Sequence, residues 1–188
     1  MDSLVLASQV NPAGIRTVID AGCGCGVISL ILAKKFPDLQ ITGIEIQPEL
    51  FAFARQNTLL NHLDKQVSLI CRDINHVTAE DLNSLSDLLI SNPPYKKKDT
   101  GRLNPDPVKA VARHELYLNL DQLFQAADRL LSKNGRLMVI LPADRCDDLE
   151  AAMQKNNFHP VSLQFILTHP SQPARRVILS AAKQPAAS

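Results

Sequence analysis

The sequence predicts an α/β domain with a mostly parallel seven-stranded sheet and helices on both of its faces. Short apolar runs alternate with segments of helical spacing, and a glycine-rich turn follows the first apolar run. Strands that alternate with helices form parallel sheets, because each helix returns the chain to the same edge. The last two strands have no helix between them, so we expect the last strand to run antiparallel.

Each predicted strand is short, apolar and bounded by turn residues. The seven strands fall at residues 17–20, 40–46, 67–71, 87–91, 136–141, 161–167 and 176–181. Helical spacing predicts helices at residues 1–10, 27–36, 48–60, 116–131 and 147–155, with a short one near 79–85. Residues 1–188 are therefore expected to form a single domain.

The composition is that of an ordinary globular domain. The chain has 188 residues, of which 45% are hydrophobic, and its net charge is +1. No run of 18 uncharged apolar residues occurs, and the N-terminus lacks a basic region followed by an apolar stretch. We therefore expect no membrane association and a cytoplasmic location. A monomer is expected in preference to an oligomer.

The cysteine pattern does not predict a metal site. Cys23 and Cys25 form a CxC pair without a second pair or a nearby histidine, whereas a structural zinc site would use two pairs. Cys71 and Cys146 lie far away in the sequence. Small buried residues in a reducing compartment are the expected role of these cysteines, and we expect no metal.

A glycine-rich turn joins the first strand to the first long helix. It reads Asp-Ala-Gly-Cys-Gly-Cys-Gly over residues 20–26, so its glycines have the spacing GxGxG, and Val27 follows. Dinucleotide folds use GxGxxG at this place, so the turn fits S-adenosylmethionine (SAM) better than NAD. We predict that SAM lies against Gly22, Gly24 and Gly26. Asp20 would face its amino-acid portion, or instead cap the helix or turn.

Carboxylates end the next two strands. Glu45 can accept hydrogen bonds from both ribose hydroxyls, with Ile46 beside it, but NAD enzymes use the same arrangement. Asp73 can accept from the adenine amino group, next to Ile74. These four residues extend the predicted cofactor site, whereas Asp87, before the fourth strand, is expected to stabilise local structure.

Asn92 directly follows the fourth strand, and Pro93 and Pro94 fix the chain beyond it. Proline locks φ, lacks an N–H donor and restricts the preceding residue, so the carbonyls of this segment are held rigidly. The Asn92 side-chain oxygen and the Pro93 carbonyl can accept the two hydrogens of a conjugated amino group and free its lone pair. The segment predicts methyl transfer to such a group, with Asn92 also touching SAM. The alternative is a plain turn that ends the strand.

Tyr95 supplies an aromatic face next to these acceptors. Stacking of a base on it would contribute roughly 1–3 kcal/mol, which helps offset the cost of removing the base from its stack. SAM carries a sulfonium, so its leaving group is already activated and no metal is required. We therefore assign catalysis to residues 92–95.

Positive charge is concentrated after this motif. Between positions 96 and 113 there are six basic residues and two acidic ones. Such a local patch can bind phosphates even on a neutral protein, although a solvated loop is the alternative. The residues predicted to contact RNA are Tyr95, Lys96, Lys97, Lys98, Arg102, Arg113 and His114.

The two motifs, Asp-Ala-Gly-Cys-Gly-Cys-Gly at 20–26 and Asn-Pro-Pro-Tyr at 92–95, resemble those of class I amino-methyltransferases. Gly-Arg at 101–102 and Ala-Arg-His-Glu at 112–115 resemble the bacterial tRNA1(Val) adenine-37 N6-methyltransferase group. The resemblance covers nearly the whole chain. It implies a Rossmann-like fold, SAM as cofactor and tRNA as partner. That group has a short strand-rich segment before its first helix, which we expect this chain to lack.

Other functions share parts of this pattern. A glutamine N5-methyltransferase acting on release factors would use the same motif, but it carries a helical docking domain for which this chain has no room. DNA adenine and ribosomal guanine N2 methyltransferases are further alternatives, and the guanine enzymes tend to have Phe in place of Tyr95. A NAD-dependent oxidoreductase would need the GxGxxG spacing. A catalytically inactive SAM-binding module is disfavoured by the intact Asn92 and Tyr95.

Overall fold

The fold centres on a seven-stranded sheet, seen in a computed structural model that describes residues 1–93, 119–167, 169 and 171–185. In chain order the strands are β1 (Thr17–Ala21), β2 (Gln40–Glu45), β3 (Val67–Cys71), β4 (Ser86–Ser91), β5 (Leu131–Pro142), β6 (His159–Ile166) and β7 (Arg176–Ala182). The helices are α1 (Asp2–Ser8), α2 (Val27–Lys35), α3 (Pro48–Leu60), α4 (Leu120–Leu130) and α5 (Cys146–Lys155), with 3-10 turns at Ile74–His76 and Ala143–Arg145.

The strands lie in the order β3-β2-β1-β4-β5-β7-β6. All pairs from β3 to β5 are parallel, and β7 runs antiparallel to both β5 and β6. The predicted sheet and its antiparallel last strand are therefore confirmed. The strand order reverses between β1 and β4, which is where open α/β sheets place their ligand crevice.

Two hydrophobic clusters, one on each face, hold the sheet between helices. On one face α4 and α5 contribute Phe124 and Leu149. The rings of Phe124 and Phe158 meet edge to face, with their centroids 5.3 Å apart. On the other face α1 and α2 contribute Leu6 and Leu32, both fully buried. Helices on both faces explain why the central strands are apolar throughout rather than alternating.

The prediction of a short helix near residues 79–85 is wrong. This segment forms turns, and the helical turn lies earlier, at Ile74–His76. The Asp81 carboxylate accepts hydrogen bonds from the Thr78 backbone N–H and hydroxyl and pairs with Arg72. A side chain that satisfies nearby backbone donors favours a turn over a helix.

Several element boundaries also differ from prediction, most of them by one or two residues. α1 covers Asp2–Ser8 rather than residues 1–10, and α4 begins at Leu120, although residues 116–118 lie outside the described part. β5 begins at Leu131, five residues before the expected start, because Leu131 already pairs with Ser86. In the described ranges, no helix is long and apolar enough to cross a membrane.

Candidate functional site

The glycine turn between β1 and α2 has a backbone that only glycine adopts readily. Gly22, Gly24 and Gly26 have φ values of +70°, +58° and +86°. A Cβ placed on Gly22 or Gly24 would meet nothing within 4 Å, whereas one on Gly26 would touch Ala54 of α3 at 3.5 Å. The turn therefore leaves open space above Gly22 and Gly24, whereas Gly26 lies beside α3 at ordinary contact distance.

Backbone and side-chain bonds fix this turn. The Ile44 carbonyl of β2 accepts from the N–H groups of Gly22 and Cys23, at 2.9 and 3.0 Å. The Asn57 side chain of α3 donates to the Cys25 carbonyl at 3.0 Å. A Cβ on Gly43 would lie 2.7 Å from Leu69 Cδ2 of β3 and 3.0 Å from Cys23 Sγ, so glycine in β2 leaves room for both side chains.

Asp20 is fully buried under the turn. Its Oδ2 accepts from the Ser29 backbone N–H at 3.0 Å and from the Ser29 hydroxyl at 2.7 Å. Ser29 lies in the first turn of α2, so Asp20 performs the capping role that was one of its two predicted roles. Its Oδ1 is buried and has no hydrogen-bond partner among the described residues, which leaves one acceptor for a ligand.

Burial raises the pKa of Asp20 to about 6, because it disfavours the charged carboxylate. The hydrogen bonds from Ser29 oppose this shift, and the nearby Glu45 carboxylate adds to it. The folded pKa thus lies above the value of 3.8 expected in the unfolded chain. The contribution of the Asp20 carboxyl to the free energy of unfolding is therefore fully present below pH 3.8. It is lost as the pH rises through about 6.

We expect the Asp20→Asn variant to lose this pH dependence. The stability of the wild type minus that of the variant should fall by roughly 2–3 kcal/mol between pH 4 and pH 7, since one pKa unit corresponds to about 1.4 kcal/mol. Urea unfolding of both proteins across this range measures the difference. The contributions of titrating groups that behave alike in both proteins cancel in it. A difference that stays constant with pH would show that Asp20 titrates normally in the folded protein.

Glu45 is buried at the end of β2 and holds the turn from the other side. Its Oε2 accepts from the Gly24 N–H at 2.9 Å, and its Oε1 accepts from the Gln47 N–H at 2.9 Å. Each carboxylate oxygen has a second lone pair, so these bonds leave room for a ligand hydroxyl. Ile46, the next residue, is half-buried.

The third strand presents its carboxylate differently. Asp73 Oδ1 accepts from the backbone N–H and the side-chain amide of Asn75, both at 2.9 Å, and so caps the Ile74–His76 turn. Ile74 itself is buried in the core on the α4 side. The contribution of Asp73 within the described residues is therefore local, with Oδ2 as the oxygen left for a ligand.

Asp87 stabilises local structure, as predicted. Its Oδ2 accepts from the backbone N–H groups of Arg16 and Thr17 and from the Thr17 hydroxyl, at 2.8–3.1 Å. Partial burial raises the pKa of Asp87, but these hydrogen bonds outweigh it, so that the pKa lies below its usual range. The carboxylate joins the starts of β1 and β4, far from the glycine turn.

Asn92 lies at the end of β4, beside the glycine turn. Asp20 pairs with Ile90 in the sheet, and the Ser91 hydroxyl donates to the Ala21 carbonyl at 2.8 Å. The Asn92 side-chain Nδ2 donates to the Ser3 hydroxyl of α1 at 2.9 Å, and Pro93 is buried. The remaining predicted residues lie outside the described ones: Pro94, Tyr95, Lys96, Lys97, Lys98, Arg102, Arg113 and His114.

Three serines of this region were not predicted from the sequence. Ser29 binds Asp20, Ser91 joins β4 to β1, and Ser3 contacts Asn92. Ser91 carried a recognisable signal, since it is a polar residue at the end of a buried apolar run. Ser3 carried none, because 89 residues separate it from Asn92.

The described side chains at this edge suit an organic cofactor. The orphaned oxygen of Asp20 and the open space above Gly22 and Gly24 can receive a polar ligand. Over the described stretches, no three His, Cys, Asp or Glu side chains meet as a metal site would require.

Comparisons with known proteins agree with this geometry. The family described as "Methyltransferase domain" matches residues 15–173. A Porphyromonas gingivalis protein named tRNA1(Val) (adenine(37)-N6)-methyltransferase is 34% identical, over 89% of this chain and 67% of that protein. An Aeromonas hydrophila protein of the same name is 31% identical, over 95% and 73%. This chain thus spans about two thirds to three quarters of these relatives.

Solved structures show the same fold at lower sequence identity. A predicted O-methyltransferase from Agrobacterium tumefaciens matches with a TM-score of 0.73 at 18% identity, over 96% of this chain and 80% of that one. At this identity the likeness establishes the fold alone. Together with the family match over most of the sequence, it supports one conclusion: the chain belongs to the methyltransferase-domain family.

Proposed function

We propose that residues 1–188 form one catalytic domain that transfers a methyl group from SAM to adenine N6 in tRNA. The observation that carries this proposal is the position of Asn92. Asn92 follows β4, which is the direct neighbour of the strand β1 that leads into the glycine turn. The Ser91–Ala21 hydrogen bond joins the ends of these two strands. A methyl donor above the turn and an amino group at Asn92 would therefore be neighbours at the same sheet edge.

The residues around the turn fit SAM. The buried Asp20 Oδ1 lacks a partner among the described residues and can accept from the amino-acid portion of the cofactor. Gly22 and Gly24 allow close approach of a ligand. Glu45 is assigned to the ribose hydroxyls with Ile46 beside them, and Asp73 with Ile74 to the adenine.

The chemistry depends on acceptors held still before the reaction. SAM, when bound, supplies an electrophilic methyl group on a sulfonium. Asn92 Oδ1 and the Pro93 carbonyl would accept the two amino hydrogens, which would reduce conjugation and free the nitrogen lone pair for the methyl group. Only the extra strength of these bonds in the transition state accelerates the reaction. Transfer would break the methyl–sulfur bond, release S-adenosylhomocysteine and pass one amino proton to solvent. We assign Pro94 as rigid support and Tyr95 as the stacking face.

The RNA substrate is supported by two features. The two relatives named above are tRNA adenine-N6 methyltransferases by name. The sequence from position 96 to 113 also carries six basic and two acidic residues, a composition that suits a phosphate backbone. We assign Lys96, Lys97, Lys98, Arg102, Arg113 and His114 to RNA contacts.

Nucleoside analysis tests this proposal directly. The protein is incubated with SAM and an unmodified tRNA1(Val) transcript, and the digested nucleosides are identified by mass spectrometry. We expect N6-methyladenosine from that transcript and none from a transcript with guanosine at position 37. Methylation of a glutamine-containing release-factor peptide but of no tRNA would overturn the proposed substrate, and absence of methyl transfer to either would overturn the proposed activity.

A further inference from the structure

Ser3 is the residue of α1 that reaches the proposed reaction site. Asn92 Nδ2 donates to its hydroxyl at 2.9 Å, across 89 residues of sequence. Both side chains are half-buried, so the bond is only partly open to competition from water. Through this bond the N-terminal helix touches the Asn92 side chain.

The orientation of an asparagine amide matters for the proposed chemistry. The amide is one rigid plane, with an acceptor oxygen at one end and a donor NH2 at the other. The amino group to be methylated donates hydrogen bonds, so it must meet the oxygen of the Asn92 amide. The NH2 end of the amide is itself a donor and could not accept them. Nδ2 donates to the Ser3 hydroxyl, so Oδ1, at the other end of the amide, faces away from that hydroxyl.

We propose that Ser3 is a positioning residue that holds the Asn92 amide in its reactive orientation. This inference rests on the proposed function of Asn92, and it gives α1 a role in the reaction besides its role in the core. When a second side chain orients a catalytic group, removing the second side chain lowers the reaction rate even though the catalytic group remains.

Ser3 can perform this role because α1 is fixed on both sides of it. Asp2 Oδ2 accepts from Arg176 Nε of β7 at 2.6 Å, in a partly buried ion pair. Leu6 and Ala7, one turn later, are fully buried against the sheet. The hydroxyl is therefore presented from a defined position, and a rotation of α1 would break its contact with the core or with β7.

Removing the hydroxyl tests this role. We expect Ser3→Ala to lower kcat for methylation of the tRNA1(Val) transcript roughly tenfold, as for other residues that orient a reacting side chain. The dissociation constant for SAM should change little, because most of the proposed cofactor contacts lie in the glycine turn and at Glu45, which Ser3 does not touch. Ser3→Thr restores the hydroxyl and should restore most of the rate. Leu4→Ala, at a neighbour that is 52% exposed, is the matched control and should behave as wild type.

A double-mutant cycle separates positioning from general stability. If Ser3 acts through Asn92, then Ser3→Ala should have no further effect on the residual rate of Asn92→Ala. A purely structural role would lower both backgrounds by the same factor. NMR gives an independent reading: the two side-chain amide protons of Asn92 should shift and exchange faster with solvent in Ser3→Ala.

The outcomes distinguish this inference from the proposed function. A normal rate in Ser3→Ala, beside a strongly reduced rate in Asn92→Ala, overturns the positioning role alone. Equal loss from Ser3→Ala in both backgrounds also overturns it. A normal rate in Asn92→Ala itself would overturn the proposed function.

Discussion

Replacing Asn92 with alanine should lower kcat/KM for methyl transfer at least about 100-fold, or roughly 2.7 kcal/mol of transition-state stabilisation. In the proposed mechanism the Asn92 oxygen is one of two fixed acceptors for the amino hydrogens, and fixed dipoles of this kind stabilise developing charge without reorganising. The loss should appear mainly in kcat under saturating tRNA and SAM. Initial-rate measurements with radiolabelled SAM provide the comparison with wild type.

Asn61→Ala is the matched control for this substitution. Asn61 follows α3 and donates one side-chain hydrogen bond to the Asn57 carbonyl, so its removal also deletes an amide with one such bond. We expect the control to retain the wild-type rate, with a small loss of stability. If Asn92→Ala turned over tRNA at the wild-type rate, the acceptor role of Asn92 would be refuted.

Gly22→Ala should weaken SAM binding at least about 30-fold, or roughly 2 kcal/mol. The φ of +70° and the open space at the Cβ position of Gly22 mean that the new methyl group would point into the proposed cofactor space. The methyl would therefore compete with the ligand, whereas its cost to the fold is limited to backbone strain of about 1–2 kcal/mol. Isothermal titration with SAM and urea unfolding measure the two effects separately.

Gly14→Ala provides the control for the strain. Gly14 has a φ of +75°, is also exposed, and has open space at its Cβ position, but it lies before β1 and outside the turn. Both variants should lose similar stability, and only Gly22→Ala should lose SAM affinity. Equal SAM affinity in the two variants would contradict the assignment of the cofactor to the glycine turn.

The sheet could be predicted because local pattern determines it. Short apolar runs bounded by turns located the seven strands, and the missing helix after β6 indicated the antiparallel β7. A helix was wrongly predicted at residues 79–85 because the spacing of apolar residues does not reveal side-chain hydrogen bonds to the backbone. Here the Asp81 carboxylate accepts from the Thr78 N–H and favours a turn. Strand order also lay beyond the sequence, since periodicity does not say which strands are neighbours.

The site was predictable only where chemistry is local in sequence. Glycine spacing and strand-terminal carboxylates marked positions 20–26 and Glu45, but not that Glu45 would accept a hydrogen bond from the Gly24 N–H. That contact joins two strand ends and depends on their order in the sheet. The bonds of Ser3 and Ser91 span 89 and 70 residues, so only folding brings their partners together.

The Ser91–Ala21 bond has a consequence for how activity should respond to heat. Both residues are fully buried, and their strands pair at the centre of the sheet. Central strands open only when most of a domain unfolds, whereas peripheral segments open at much lower free energy. The spacing between the proposed sites of the methyl donor and the methyl acceptor is thus tied to the most cooperative part of the molecule. Warming should therefore leave this spacing intact until the whole domain melts.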